Sequence, residues 1–222
     1  GRLVEKGIDG ELREYNDENY TYYGIADIKK ARRTKANYTV YRITIRDDLL
    51  FSDGQPITID DVIFSLYAFC DNDYDGNVQL KSSNIRGLLN YQANNAQAES
   101  YTDKQVKKYI RKKPAALQKW TQKHSSDESG YESALERQAR YLMAKQAKKK
   151  TRVNSIEGIK RLNDYELRIY TTGYDSRFEE KLQIPICPLH YYGDTTKYSY
   201  NANKFGFKRG DLSAIRANKS SP

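Results

Sequence analysis

Three pairs of adjacent carboxylates, Asp47–Asp48, Asp60–Asp61 and Glu179–Glu180, are the side chains whose type would suit general acid/base work. Their spacing does not suit it. Neighbours on a strand point to opposite faces, and neighbours on a helix diverge by about 100°. Asp71, Asp73 and Asp75 alternate ahead of Gly76 in the manner of a calcium loop. The downstream Glu such a loop needs is absent, so a turn leaving a helix is the expectation. The two histidines, His124 and His190, are far apart, and no Cys/His cluster has metal-ligand spacing. The chain has no Gly-x-Ser-x-Gly, His-Glu-x-x-His or phosphate-binding glycine loop. No catalytic residue, metal ligand or cofactor is assigned, and an enzyme is not expected. Cys70 and Cys187 allow one disulfide, which would suit an exported protein. Both sit in apolar runs, where a buried thiol acts as a small hydrophobe, and spacing alone cannot show proximity.

The elements that would position these groups are clearest between Tyr38 and Leu66. Tyr41, Ile43 and Ile45 alternate with Arg42, Thr44 and Arg46, the period of a half-buried strand. Ser52–Asp53–Gly54 is a turn, since Asp bonds its own backbone locally and Gly tolerates positive φ. Pro56 cannot donate to a ladder, so the sheet is left near it. Thr58 is a natural N-cap, and Asp60 and Asp61 sit in the first turn, where the helix dipole favours negative charge. Val62, Leu66 and Phe69, with Ile63 and Tyr67 beside them, form an apolar stripe.

This block resembles the extracellular solute-binding proteins of ABC transporters, in the oligopeptide- and dipeptide-binding family (family 5). The matching positions are Ala26, Thr39, Ile43, Ile45, Arg46, Phe51, Asp53, Gly54, Pro56, Thr58, Asp61, Val62, Phe64 and Ser65. Ile156–Ile159 followed by Asn163–Leu167 resembles a hairpin of the family, and Ile186–His190 resembles its Pro-x-His strand exit. The patches occur in the family's order and frame roughly 22–90 and 153–192. The stretch from about 92 to 152 and the Phe205–Asp211 segment have no counterpart in the resemblance.

The resemblance implies a substrate-binding component of an importer. Its fold would be part of lobe I of a type II periplasmic-binding-protein-like fold. Two lobes close on a solute by hinge motion, and the closed form docks on the membrane permease. The solute would be an oligopeptide or dipeptide, with nickel chelates, haem and sugars as alternatives within the family. Peptide-binding relatives hold the peptide's termini and main chain by polar groups and its side chains in roomy pockets, in a cleft that sets selectivity. The chain is expected to be a single first-lobe fragment over 1–222, extracellular or periplasmic. Any lipid anchor would lie upstream of Gly1. No ligand-contacting residue is assigned.

Charge supports a rival. The net charge is +9, yet Asp103–Arg152 alone holds 15 Lys and Arg against 5 Asp and Glu, leaving 23 basic and 24 acidic residues elsewhere. Lys107, Lys108, Arg111, Lys112 and Lys113 make a dense basic face, the electrostatic footprint of phosphate contacts. The alternative function is therefore binding of nucleic acid or an anionic surface through 103–152. A solvated helical face is preferred, because no nucleic-acid module accompanies the charge, and nucleic acid is not expected as a partner.

The pattern along the chain is α+β, a mixed or antiparallel sheet with packed helices. Residues 1–37 hold short strands or turns, Leu12–Tyr15 and Tyr20–Ile25, with Lys29–Lys35 as an exposed turn. Residues 91–152 form a basic helical insertion: Thr102–Asp103 starts a helix, Pro114 interrupts it, and Ser125–Gly130 separates it from a stripe of Tyr131, Leu135, Ala139 and Leu142. Gly158–Leu162 and Glu166–Tyr170 flank an Asn163–Asp164 turn as a hairpin. Asp175 caps a short helix through Phe178 and Leu182, and 193–222 is mostly loop. The 20 tyrosines suit clefts and half-buried sheet faces. No run approaches the roughly 20 apolar residues that span a bilayer, and no signal peptide is present.

Overall fold

A computed structural model describes residues 11–15, 18–22, 24–76 and 79–217. The expectations for 1–10 and 218–222 lie outside those residues. In chain order the elements are β1 (Glu11–Tyr15), β2 (Glu18–Tyr22), β3 (Ala26–Arg33), β4 (Tyr38–Ile45), α1 (Ile59–Cys70), α2 (Leu88–Ala93), α3 (Asp103–Arg111), α4 (Ala115–Thr121) and α5 (Tyr131–Gln146). They continue with β5 (Ile159–Arg161), β6 (Glu166–Thr172), α6 (Phe178–Lys181), α7 (Leu189–Tyr192), β7 (Tyr198–Ser199), β8 (Lys204–Phe205) and α8 (Ser213–Ala217). The chain divides into two compact units, Gly1–Arg86 with Gly158–Pro222, and Gly87–Glu157.

The first unit is built on an antiparallel sheet in the order β3-β4-β6-β5. The α+β class read from the sequence is what the structure has. Strand β4 is central because its alternation works on both sides: Tyr41, Ile43 and Ile45 are buried while Arg42 is exposed. Across the β4–β6 pair, Ile43 faces Leu167 and Tyr41 faces Ile169, which extends the apolar face. The Tyr41 ring lies 4.5 Å from Phe178, and burial pushes its phenol up to about 12. The β5–β6 hairpin turns where expected, with the Tyr165 amide donating to Asn163 Oδ1 at 2.9 Å. Gly158 is required by close approach: a Cβ there would meet the Tyr170 carbonyl oxygen at 2.5 Å. The absent side chain lets the Tyr170 amide donate to the Gly158 carbonyl at 2.8 Å.

Three expectations need correction. Lys29–Arg33 is not a turn but the second half of β3, paired with β4 from Ala26 opposite Ile45 to Arg33 opposite Tyr38. Only Thr34–Ala36 turns, closed by Asn37 at φ 49°. Lys and Arg are at home on a sheet edge, where they oppose further strand pairing, and their polarity hid the strand. Helix α1 is not a one-sided stripe: of its residues only Asp60 is not buried. It packs against β5, α7, β8 and the short helical turn Gln79–Ser82, so several sides need apolar cover. Residues 193–217 are mostly loop, as expected, with short elements packed among the loops. The β7–β8 pair forms there, and Phe205 stacks on Tyr67 at 3.5 Å while Phe207 meets Phe64 edge-on at 6.0 Å. Helix α6 follows Arg177, and Asp175 stands ahead of it, accepting the Arg177 amide at 3.0 Å.

The second unit is helical, as the stripes in 103–146 predict, and spans Gly87–Glu157. Thr102 and Gln105 cap α3 reciprocally: Thr102 N–H donates to Gln105 Oε1 at 2.8 Å, and Gln105 N–H to Thr102 Oγ1 at 3.3 Å. Val106, Leu117 and Ala139 form a small core with Ile110, Leu135 and Leu142 packed on it. Glu99 receives the Gly87 and Leu89 amides at 2.8 and 2.9 Å, supplying partners to otherwise orphaned N–H groups at the start of α2. Among the described residues no helix is long and apolar enough to cross a membrane.

Candidate functional site

The Asp53–Ser65 block closes onto Cys187–His190 through a set of hydrogen bonds. Gly54 at φ 81° turns the chain, and Asp53 Oδ1 accepts the Gln55 amide at 3.1 Å. Asp53 Oδ2 then accepts from His190 Nε2 at 2.6 Å. The Gln55 amide first, and His190 second, hold the Asp53 carboxyl below the usual carboxylate range. In the first turn of α1, Asp61 Oδ2 accepts the Thr58 amide at 2.9 Å and the Thr58 hydroxyl at 3.1 Å. Asp61 Oδ1 accepts the Leu189 amide at 2.9 Å. Ser65 donates its hydroxyl to the Asp61 carbonyl at 2.7 Å and accepts the Cys187 amide at 2.8 Å. Pro188 has no amide, so the two free N–H groups flanking it are the ones received by Ser65 and Asp61. Phe51 completes the contact edge-on to His190 at 5.6 Å.

A second clamp uses the alternating acids after α1. Asp71 Oδ2 accepts the Gly210 amide at 2.9 Å, and Asp73 Oδ2 accepts the Leu212 amide at 2.8 Å and Arg216 Nη1 at 2.7 Å. Arg216 also donates to the Asp73 carbonyl. The Leu212 amide first, then Arg216, lowers the Asp73 carboxyl below its ordinary range. Lys81 Nζ caps the turn from below, donating to the carbonyls of Asn72 and Tyr74 at 3.0 and 2.6 Å. This is the helix-exit turn read from the sequence, with a role the sequence did not reveal. Its acids hold the Gly210–Arg216 segment, and nothing in their spacing named that partner.

The remaining chemistry-bearing side chains are engaged separately. Asp60 and Asp61 diverge as helical neighbours must. Asp60 faces Arg161 at 2.9 Å and the Tyr198 hydroxyl at 2.7 Å, away from the Asp61 contacts. Burial, then Asp60, pushes the Tyr198 phenol well up. Asp48 pairs with Arg46 at 2.6 Å and Glu179 with Lys30 at 2.7 Å. His124 lies in the second unit, stacked on Trp120 with ring centroids 4.0 Å apart. Cys70 and Cys187 are not joined in a disulfide, and burial raises the Cys187 thiol against the pull of Ser65. Among the described residues no group of three or more His, Cys, Asp or Glu could hold a metal ion.

The family model described as bacterial extracellular solute-binding proteins, family 5 middle, matches residues 25–208. The chain belongs to that family. This family 5 match runs continuously through both partners of the interlock, from Asp53 to His190. It also reaches past the helical unit to Phe205–Phe207, segments that the sequence patches alone left without a counterpart. Searches among curated proteins and among solved structures found no match. Within this family 5 chain the oxygens of Asp53, Asp61 and Ser65 are engaged by protein partners. Solute binding outside the cell is the family's role, and the family's partners are a small solute and an ABC permease.

Proposed function

We propose that residues 1–222 form part of the first lobe of the substrate-binding component of an ABC importer. It captures oligopeptides or dipeptides outside the membrane and delivers them to the permease, performing no chemistry on them. Residues 91–152 are a basic helical insertion in that lobe, and an upstream lipid anchor supplies the attachment to the membrane. The observation that carries this proposal is the interlock of the Asp53–Ser65 block with Cys187–His190 inside the matched region. Hinge closure needs lobes that move as rigid bodies, and bonds between segments over a hundred residues apart in sequence supply that rigidity.

The test is calorimetry with a mixed library of short peptides, a nickel chelate, haem and a sugar mixture. The full-length gene product is expected to take up peptide and to ignore the other three. The 222-residue chain alone is expected to bind peptide far more weakly, since the opposing lobe supplies much of the cleft. Micromolar peptide binding to the 222-residue chain overturns the first-lobe assignment. Uptake of nickel, haem or sugar in place of peptide overturns the solute class.

A second function rests on the helical unit. Lys104, Lys107, Lys108, Lys112 and Lys113 form no ion pair among the described residues, and all five are exposed. Such a face would bind nucleic acid or another polyanion by counterion release. Titration of a random DNA duplex against salt separates this from a solvated face. Binding that falls steeply with salt supports it, and no binding at low salt removes it.

A further inference from the structure

The helical unit contains a groove of about 620 Å³ between α3, α4 and α5. That volume lies within the range of about 300–1,000 Å³ typical of small-molecule sites. Half of its lining is apolar or aromatic, Ile110 from α3, Leu117 from α4, and Tyr131 and Leu135 from α5, and Gln118, Thr121 and Gln122 beside Lys113 supply the polar half. Two of the polar groups along it are already engaged. The Thr121 hydroxyl donates to the Gln118 carbonyl at 2.8 Å, and Gln118 Nε2 donates to the Lys113 carbonyl at 2.6 Å.

Lys113 is the one charged residue in the lining, and no carboxylate lines the groove. Its ammonium forms no ion pair among the described residues. Its backbone is in the left-handed region at φ 46°, uncommon for a side chain of this size. Two hydrogen bonds hold it there: its amide donates to the Ile110 carbonyl at 3.0 Å, and its carbonyl accepts from Gln118. The base of the lysine is thereby fixed in the lining while the exposed side chain can meet a ligand. The segment around it, Asp103–Arg152, carries fifteen basic and five acidic residues, a field that concentrates anions.

We propose that this groove binds a fatty-acyl carboxylate, with the acyl chain along Ile110, Leu117, Tyr131 and Leu135 and the carboxylate on the Lys113 ammonium. A row of apolar side chains with a single cation in the same lining is the complement of an apolar chain with a single anion at its end. A phosphate diester or a polyanion would leave the apolar wall uncovered.

Trp120 is the only tryptophan, and its ring lies 5.8 Å from that of Tyr131 in the groove wall. Its fluorescence therefore reports occupancy of this groove in the whole 222-residue chain. Dodecanoate, kept below its micelle concentration, is expected to give a saturable one-site change. Dodecanol and dodecyltrimethylammonium are expected to bind at least roughly tenfold more weakly, the scale of one charge-assisted contact. Lys113→Gln should lose a similar factor and Lys113→Arg should keep the affinity, with circular dichroism unchanged in both. Leu135→Glu, which puts a carboxylate among the apolar side chains, should abolish binding while Lys113 stays in place, with circular dichroism unchanged. Equal binding of dodecanol and dodecanoate overturns the proposal, as does an unaltered Lys113→Gln. Binding of an acetylated dileucine acid in place of dodecanoate also overturns it, assigning the groove to a peptide terminus.

Discussion

The two oxygens of the Asp61 carboxylate serve two places in the chain: Oδ2 caps its own helix at the Thr58 amide, and Oδ1 receives the Leu189 amide 128 residues away. The same side chain therefore fixes where α1 begins and where the segment leaving Pro188 lies against it. Asp61 is 6% exposed, so neither partner has water as an easy substitute.

Asp61→Ala removes a helix cap and leaves the buried Leu189 amide without an acceptor. A lost cap costs about 1 kcal/mol and an unsatisfied buried amide about 1–3 kcal/mol, so a loss of roughly 2–4 kcal/mol is expected. Urea unfolding measures it. The local readout is Cys187, two residues before Leu189: its reaction with a thiol reagent should speed up while that of the fully buried Cys70 lags behind. A loss under half a kcal/mol would show that water replaces the carboxylate.

Ser65→Ala tests the neighbouring bond. The Cys187 amide loses its acceptor, at a cost of about 1–3 kcal/mol. The thiol also loses the group that pulls its ionisation down, so its alkylation midpoint should move to higher pH. The raised thiol has a sign consequence for the parent protein. The folded state prefers the neutral thiol, so this contribution to stability is full below the unfolded thiol value of about 8.5. It declines as pH rises from there through the folded value. Cys187→Ala should remove that alkaline decline.

Asp53 carries the opposite dependence. Its folded carboxyl ionises below the ordinary Asp value, through the Gln55 amide and then His190. The stability it contributes is present above the unfolded value of about 4 and disappears as pH falls through the folded one. Asp53→Asn should flatten part of the fall in melting temperature as pH drops below about 4. An unchanged acid limb would mean that solvent screens this exposed pair completely.

Asp73→Ala should free the segment it holds. The Leu212 amide and the Arg216 guanidinium both lose their acceptor. Limited trypsin digestion is expected to cut faster after Lys208, Arg209 and Arg216 than in the parent chain, with cleavage in 103–152 unaltered. Asp75→Ala, whose carboxylate stands 3.6 Å from Arg216, should have the smaller effect.

Much of this molecule was determined locally. The Tyr41–Ile45 alternation, the glycine at 54, the Thr58 cap, the Asn163–Asp164 turn and the breaks at Pro114 and Gly130 each satisfy a requirement of their own few residues, so the sequence alone displays them. The basic β3 edge escaped because a strand paired on one side keeps Lys and Arg solvated and loses its apolar signature. Which N–H meets Asp61 Oδ1, why α1 is buried on nearly every side, and what the acids at 71 and 73 hold were decided only by tertiary structure. Hydrogen-bond acceptors and apolar faces state in sequence that they need a partner. Only the folded chain brings Leu189, Phe205, Gly210 and Leu212 within reach.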